Sequence, residues 1–345
     1  MKEIKILFVL ILLTGAMYYG IEPYAHHIFN PVVKPADFKF SDLFPADSSP
    51  AAVDMERGRL IQLVNEANPE EGRDIVQNFG CQACHTIKSA QMFPYGLGSL
   101  EAEEKALIEA NGLLPPDLSN AASLYDEVYL IDFMKNPPTP SFTTSHRRHQ
   151  QELLAEGLAT GGDSQKLNTT FTKAVEGFDS KIGSNYVKMN SFAWLTEEQL
   201  ASVVSFLRTL ATPVEKLTPK EVTINACVRC HSIDYDHVPL AAMPKELEKY
   251  LGTVPPDLSM MIRSKGEGYL NTFINDPQKH LLGTNMPRVG LTAASQAKVV
   301  AYLNQVGDPK ADERNSLGLY FVIYFLVLAV LAFAWKHNEF KEIGK

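Results

Sequence analysis

The chain has 345 residues, enough for two domains of ordinary size with their connections. Its composition is ordinary for a globular protein, and a formal net charge of -8 argues against nucleic-acid binding and fits a partner with a basic docking face. All four cysteines fall in two five-residue stretches, so none is left for a structural disulfide.

Ile6 to Ile21 is an uncharged run of sixteen residues behind Lys2 and Lys5. It suits a signal-peptide core, and it is slightly short for a membrane helix. Thr14-Gly15-Ala16 offers a cleavage site, whereas Met17-Tyr18-Tyr19 suits an interfacial anchor. An uncleaved anchor over residues 1–22 is favoured, with Lys2 and Lys5 in the cytoplasm and the chain after Glu22 outside. Residues 23–65 carry Pro23, Pro31, Pro35, Pro45 and Pro50 with little periodicity, which predicts an extended lead from membrane to domain. His26 and His27 fall at headgroup height, where polar interfacial residues are the ordinary expectation and quinone or proton chemistry is the alternative.

From Pro69 a helix is predicted, with Gly72, Ile75, Val76 and Phe79 on one face, running into Cys81-Gln82-Ala83-Cys84-His85. Two thiols three residues apart on one turn can each add to a vinyl group of one porphyrin, and the next residue puts an imidazole under the iron. A C-x-x-C pair alone would equally suit zinc or a thioredoxin-like redox pair. The histidine directly after the second cysteine selects haem c, and the pattern returns at Cys227-Val228-Arg229-Cys230-His231. Two covalently bound haem c groups are thus expected, attached at Cys81 and Cys84 and at Cys227 and Cys230, with His85 and His231 on the irons. Such attachment belongs on the electropositive side of an energy-converting membrane, which implies a bacterial inner membrane with the haem domains in the periplasm.

Beyond the first motif, Leu114-Pro115-Pro116-Asp117-Leu118-Ser119 returns as Val254-Pro255-Pro256-Asp257-Leu258-Ser259, and Tyr129 to Phe133 as Tyr269 to Phe273, both at an offset of 140. The aspartates sit where a carboxylate offsets a helix dipole, a structural role. Thr196 and Gln199 predict a capping box ahead of the stripe Leu200, Val203, Val204, Leu207 and Leu210, and this segment maps on Thr292 to Val306 at an offset of 96. Thr218-Pro219-Lys220-Glu221 predicts the start of the helix entering Cys227. The repeat assigns one haem domain to residues 66–212 and a second to 213–308. The change of offset marks an insertion of about 43 residues in the first copy, at about 138–188. In it His146 and His149 suit a solvated loop, with metal binding as the alternative, and the segment either docks on a partner or covers the first haem.

Each iron needs a second axial group. Asn285-Met286-Pro287 lies five residues before Leu291 and resembles the Met-Pro ligand loop of small cytochromes c, so Met286 is the candidate and His280 the runner-up. Met189, six residues before Leu195, holds the equivalent place in the first copy; Met92 and Met134 come too early in the domain plan. Arg288 suits either a haem propionate or solvent. Leu317 to Trp335 is an uncharged run of nineteen residues followed by Lys336, Lys341 and Lys345, which predicts a second membrane helix within 309–345, its C-terminal end in the cytoplasm.

These residues together resemble cytochrome c1, the haem c subunit of the quinol:cytochrome c oxidoreductase (bc1) complex. The likeness rests on the Pro-Pro-Asp-Leu-Ser segments after Cys-x-x-Cys-His, the methionine-ligated domain, and the C-terminal anchor with its aromatic and basic tail. A helix with a glycine and an aromatic ahead of the motif is similar to the packing helix of class I cytochromes c. The usual c1 subunit has one haem domain and one anchor; two of each make this chain similar to the two-haem c1-type subunits of some bacterial complexes. The resemblance implies a mainly α protein: two tandem class I cytochrome c-like domains between an N-terminal and a C-terminal transmembrane helix. It also implies electron relay from a Rieske iron–sulfur protein to a soluble or membrane-bound cytochrome c acceptor or an oxidase, beside a cytochrome b subunit in a dimeric complex. Bond-making catalysis would then reside in partner subunits. The alternatives are a haem c subunit of a terminal oxidase or nitric oxide reductase, a dihaem peroxidase, and a free membrane-tethered shuttle.

Overall fold

The computed structural model describes residues 2–29, 49–94, 105–106, 108–109, 112, 114–135, 137, 189–251, 253–281, 284 and 286–343. The predicted insertion at about 138–188, with His146 and His149, lies outside the described residues. Among the described residues all extended regular structure is helical, joined by three isolated β-bridges.

Helix α1 (Lys2–Ala16), a π-helical turn (Met17–Ile21) and α2 (Glu22–Phe29) follow one another without a break, and Ile4–Ala25 is long and apolar enough to cross a membrane. The lead predicted as extended is in part a helix: α3 spans Pro50–Glu66. Ser49 caps it by accepting from the Ala52 N–H, and Pro50 takes the first-turn position where its missing N–H costs nothing. Val53, Leu60 and Val64 lie along one side and are buried. Their spacing suits a helix, and burial against the domain outweighs the proline-rich context upstream.

Helix α4 (Pro69–Asn78) is capped by Asn68 and buries Gly72, Ile75 and Val76. Phe79, predicted on the same face, is instead the residue that ends the helix; it is exposed and meets Trp194 edge-on at 5.4 Å. After the first Cys-x-x-Cys-His turn come α5 (Ala121–Leu124), α6 (Glu127–Lys135) and α7 (Glu197–Leu210). Thr196 and Gln199 form the predicted capping box of α7. Helix α7 crosses α4 at Gly72, where a Cβ would stand 1.9 Å from the Ser202 carbonyl oxygen.

The second repeat follows the same course: α8 (Pro219–Cys227), α9 (Pro244–Leu251), α10 (Met261–Lys265), α11 (Glu267–Phe273), α12 (Pro277–His280) and α13 (Ala293–Gly307). Thr218 and Glu221 make the predicted box on α8, and Thr292 caps α13. One core gathers Val64, Ile75, Val76, Val128, Leu200 and Val204; another gathers Val222, Ile233, Leu270, Leu291, Val299 and Leu303. Each such aliphatic side chain contributes about 1.5–3 kcal/mol on burial.

The repeats are fused. Leu124 of the first repeat packs in the second core, and Tyr125 bridges Leu291. The Asp126 N–H donates to Gly290 O at 2.9 Å, and the Thr292 N–H donates to Leu124 O at 3.0 Å. Gly290, at φ +70°, lies flat against the Tyr129 ring. Helix α14 (Ala311–Ile343) leaves the second repeat as one continuous rod about 50 Å long. The short link predicted after Asp308 is therefore mostly helix, and Ser316–Lys341, which contains the predicted Leu317 to Trp335, is long and apolar enough to span a membrane.

Candidate cofactor sites

Each candidate site is a tight turn set against a proline carbonyl. In the first, Gly80 at φ +94° ends the approach from α4 and opens a 3-10 turn, Cys81–Ala83. The Cys84 and His85 N–H groups both fold back on Cys81 O, at 3.3 and 2.9 Å. In the second, the Cys230 and His231 N–H groups fold back on Cys227 O, both at 3.0 Å. The two thiols of each motif and the following imidazole are thereby held on one turn. No disulfide joins any of the four cysteines.

The His85 Nδ1 lies 2.9 Å from Pro116 O, and the His231 Nδ1 lies 2.7 Å from Pro256 O. A carbonyl oxygen only accepts, so each Nδ1 carries the proton and each Nε2 keeps its lone pair. Burial pushes the pKa of both imidazoles below the ordinary histidine value, with the carbonyl bond opposing; for His85 the Arg229 charge pushes the same way as burial. A neutral imidazole whose Nε2 keeps its lone pair can bind a metal with its ring already oriented. Burial also pushes the Cys227 thiol up to about 12. Among the described residues no three His, Cys, Asp or Glu side chains gather as a metal site of their own.

The proline segments are fixed by the repeat's own polar groups. Asp117 Oδ1 accepts from the Lys88 and Ser119 N–H groups and from Ser119 Oγ, while Asp257 accepts from the Asp234 and Ser259 N–H groups and from Ser259 Oγ. The Leu118 N–H donates to Thr86 O and the Leu258 N–H to Ser232 O, tying each proline segment to the residue after its histidine. The loops that follow, Ile87 to Met92 and Ile233 to Val238, close on matching bridges with Gln91 and His237 in the left-handed region. The aspartates are structural, as their place in the sequence predicts. The serines and the proline carbonyls escaped sequence reasoning, although the repeated Pro-Pro-Asp-Leu-Ser was their signal.

Met286 is partly buried and its N–H donates to Thr284 Oγ1 at 3.3 Å; Met189 is partly buried seven residues ahead of the Thr196 cap, as Met286 is six ahead of Thr292. Met92 is core, paired through its backbone with Ile87, and Met134 packs on the same core. His280 is exposed at the end of α12, its ring 6.3 Å from that of Tyr269. Arg288 forms a largely buried ion pair with Asp276 at 3.0 Å.

No family model matches this sequence, and no curated protein matches it. A solved structure described as "Hyperthermophilic respiratory Complex III" contains a chain that is 27% identical, the match covering 37% of this chain and 75% of that one at a TM-score of 0.31.

Proposed function

We propose that this chain is a membrane-anchored dihaem cytochrome c that relays electrons within a bc1-type respiratory complex. The donor is a Rieske iron–sulfur protein, and the acceptor is a soluble or membrane-bound cytochrome c or an oxidase. The observation that carries this reading is the bond from Nδ1–H to a prolyl carbonyl, made twice, by His85 to Pro116 and by His231 to Pro256. It presents a neutral, oriented imidazole directly after two thiols on one turn, and that donor set fits covalent haem c.

Cys81 and Cys84 would tether one haem beside His85, and Cys227 and Cys230 another beside His231; Met189 and Met286 would each supply a further ligand. When bound, each haem supplies a one-electron iron couple, which methionine ligation sets higher than a second histidine does. The chain's own part is to orient and to hold. Pro116 and Pro256 orient the imidazole rings, and Asp117 and Asp257 brace the turns that follow the prolines by accepting from the Ser119 and Ser259 N–H groups. The two apolar terminal helices suit anchors that keep both repeats on one face of the bilayer, and Lys336, Lys341 and Lys345 favour the periplasmic face. A cytochrome b subunit and dimerisation follow from the family resemblance.

The test is a redox-titrated absorption spectrum of detergent-extracted membranes, with and without quinol, alongside purification of the chain. Two low-spin haems with the weak long-wavelength band of methionine on ferric iron, reduced by quinol only in the company of a cytochrome b and a Rieske protein, are expected. A high-spin haem that reacts with peroxide would replace the relay with a peroxidase. Quinol-independent behaviour of a chain that purifies alone would replace it with a free shuttle.

A further inference from the structure

The two Cys-x-x-Cys-His turns differ at one position that matters electrostatically: the residue before the second cysteine is Ala83 in the first and Arg229 in the second. Arg229 does not point away from the first repeat. Its guanidinium donates to Asn225 O at 3.0 Å and to the Tyr125 hydroxyl at 3.4 Å, and Tyr125 belongs to the first repeat. The backbone brings the two turns together as well. The Ala241 N–H donates to Val228 O at 3.0 Å, and the Leu114 N–H donates to Ala241 O at 2.9 Å. Leu114 is two residues ahead of Pro116, whose carbonyl holds His85. Arg229 thus lies one residue from the second cysteine of its own motif and is tied to the first repeat through Tyr125, while the adjacent Val228 carbonyl is joined through a short hydrogen-bonded ladder to the segment that holds His85.

Resting on the dihaem reading above, we propose that Arg229 is a shared cation that raises the reduction potential of both haem sites, the first through space across the repeat interface. Reduction adds one electron to a site, and a fixed positive charge close by in a partly buried setting favours the reduced form. A guanidinium keeps its charge at every working pH, so the bias is permanent. The first repeat carries no cation at the matching position and draws this one from its neighbour.

Haem content of the purified full chain is measured first. Fewer than two haems per wild-type chain overturns the dihaem reading, and this inference with it. With two haems present, spectropotentiometric titration of R229Q is expected to show both midpoints lowered, each by about a threefold to tenfold change in its reduction equilibrium, tenfold being about 59 mV for one electron. R229K is expected to hold both near wild type. Movement of one midpoint alone, or of neither, overturns the shared cation while leaving the dihaem reading intact. Should R229Q be recovered with fewer than two haems, Y125F decides. It leaves both haem motifs whole and releases the guanidinium from the first repeat; a lowered midpoint supports the proposal and unchanged midpoints overturn it.

Discussion

Gly72 and Ser202 are in backbone contact where α4 and α7 cross: a Cβ on Gly72 would stand 1.9 Å from the Ser202 carbonyl oxygen and 2.9 Å from the Phe206 Cβ. Neither obstacle is a flexible side-chain end, so an alanine there must push the helices apart. G72A is expected to destabilise the first repeat by about 1–3 kcal/mol, the usual cost of overpacking. Urea unfolding of the purified chain checks this, and a variant as stable as wild type would mean that the helices do not cross so closely.

Glu197 ties three helices of the first repeat together, accepting from Lys135 Nζ on α6 at 2.6 Å and pairing with Arg59 on α3. The Lys135 ammonium holds its carboxyl below the ordinary 4.5, burial opposes, and Arg59 assists; the Arg59 bond likewise lowers Glu56. With the folded pKa depressed, the unfolded chain binds more protons between the two values. The stabilisation is therefore present above about pH 4.5 and lost as the pH falls through the folded pKa. The partners are partly exposed, so the amount is about 1 kcal/mol or less. Unfolding midpoints followed from about pH 6 to about pH 3.5 are expected to fall less steeply in E197Q than in wild type. Equal slopes would assign the acid sensitivity to other groups.

The parts of this architecture that were legible in the sequence are those written locally. Thr196 with Gln199, and Thr218 with Glu221, announce their helices within four residues, and the structure makes both boxes. The repeat was legible because identical segments fold to matching bonds: the Ser89 N–H reaches Ser119 Oγ, and the Tyr235 N–H reaches Ser259 Oγ, each at 3.0 Å. Helix α3 was missed although Ser49-Pro50 and the spacing of Val53, Leu60 and Val64 signalled it, because the prolines before it dominated the segment. The interface between repeats was not legible at all. Tyr125 with Arg229, and Tyr129 with Gly290, are pairs 104 and 161 residues apart, and no local period encodes a partner at that range.

Gly290 is where that interface is tightest. Its φ of +70° is one that side chains rarely adopt, and a Cβ would stand 2.3 Å from the Tyr129 ring, whose hydroxyl donates to Arg288 O at 3.1 Å. G290A combines backbone strain of about 1–3 kcal/mol with displacement of the ring. It is expected to loosen the docking of α6 on the second repeat, so that one cooperative unfolding transition divides into two and the segment around Tyr125 becomes open to protease. Y129F, which removes only the hydroxyl, is expected to cost about 0.5–1.5 kcal/mol and to keep a single transition. A single transition in G290A would mean that the repeats are held by other contacts.

On the proposed dihaem reading, the methionines separate ligand from packing. Met92 is buried in the first core with its backbone paired to Ile87, so M92A is expected to cost about 2–5 kcal/mol while leaving the long-wavelength band of the ferric protein unchanged. Met189 and Met286 stand at corresponding distances ahead of the Thr196 and Thr292 caps and are only partly buried, so truncating either removes less packing. M189A and M286A are each expected to abolish about half of that band and to lower one midpoint, since a methionine on the iron favours the reduced state. Stability and spectrum therefore move in opposite patterns across the three variants. If M189A leaves the band whole while M286A halves it, the first site draws its second ligand from elsewhere.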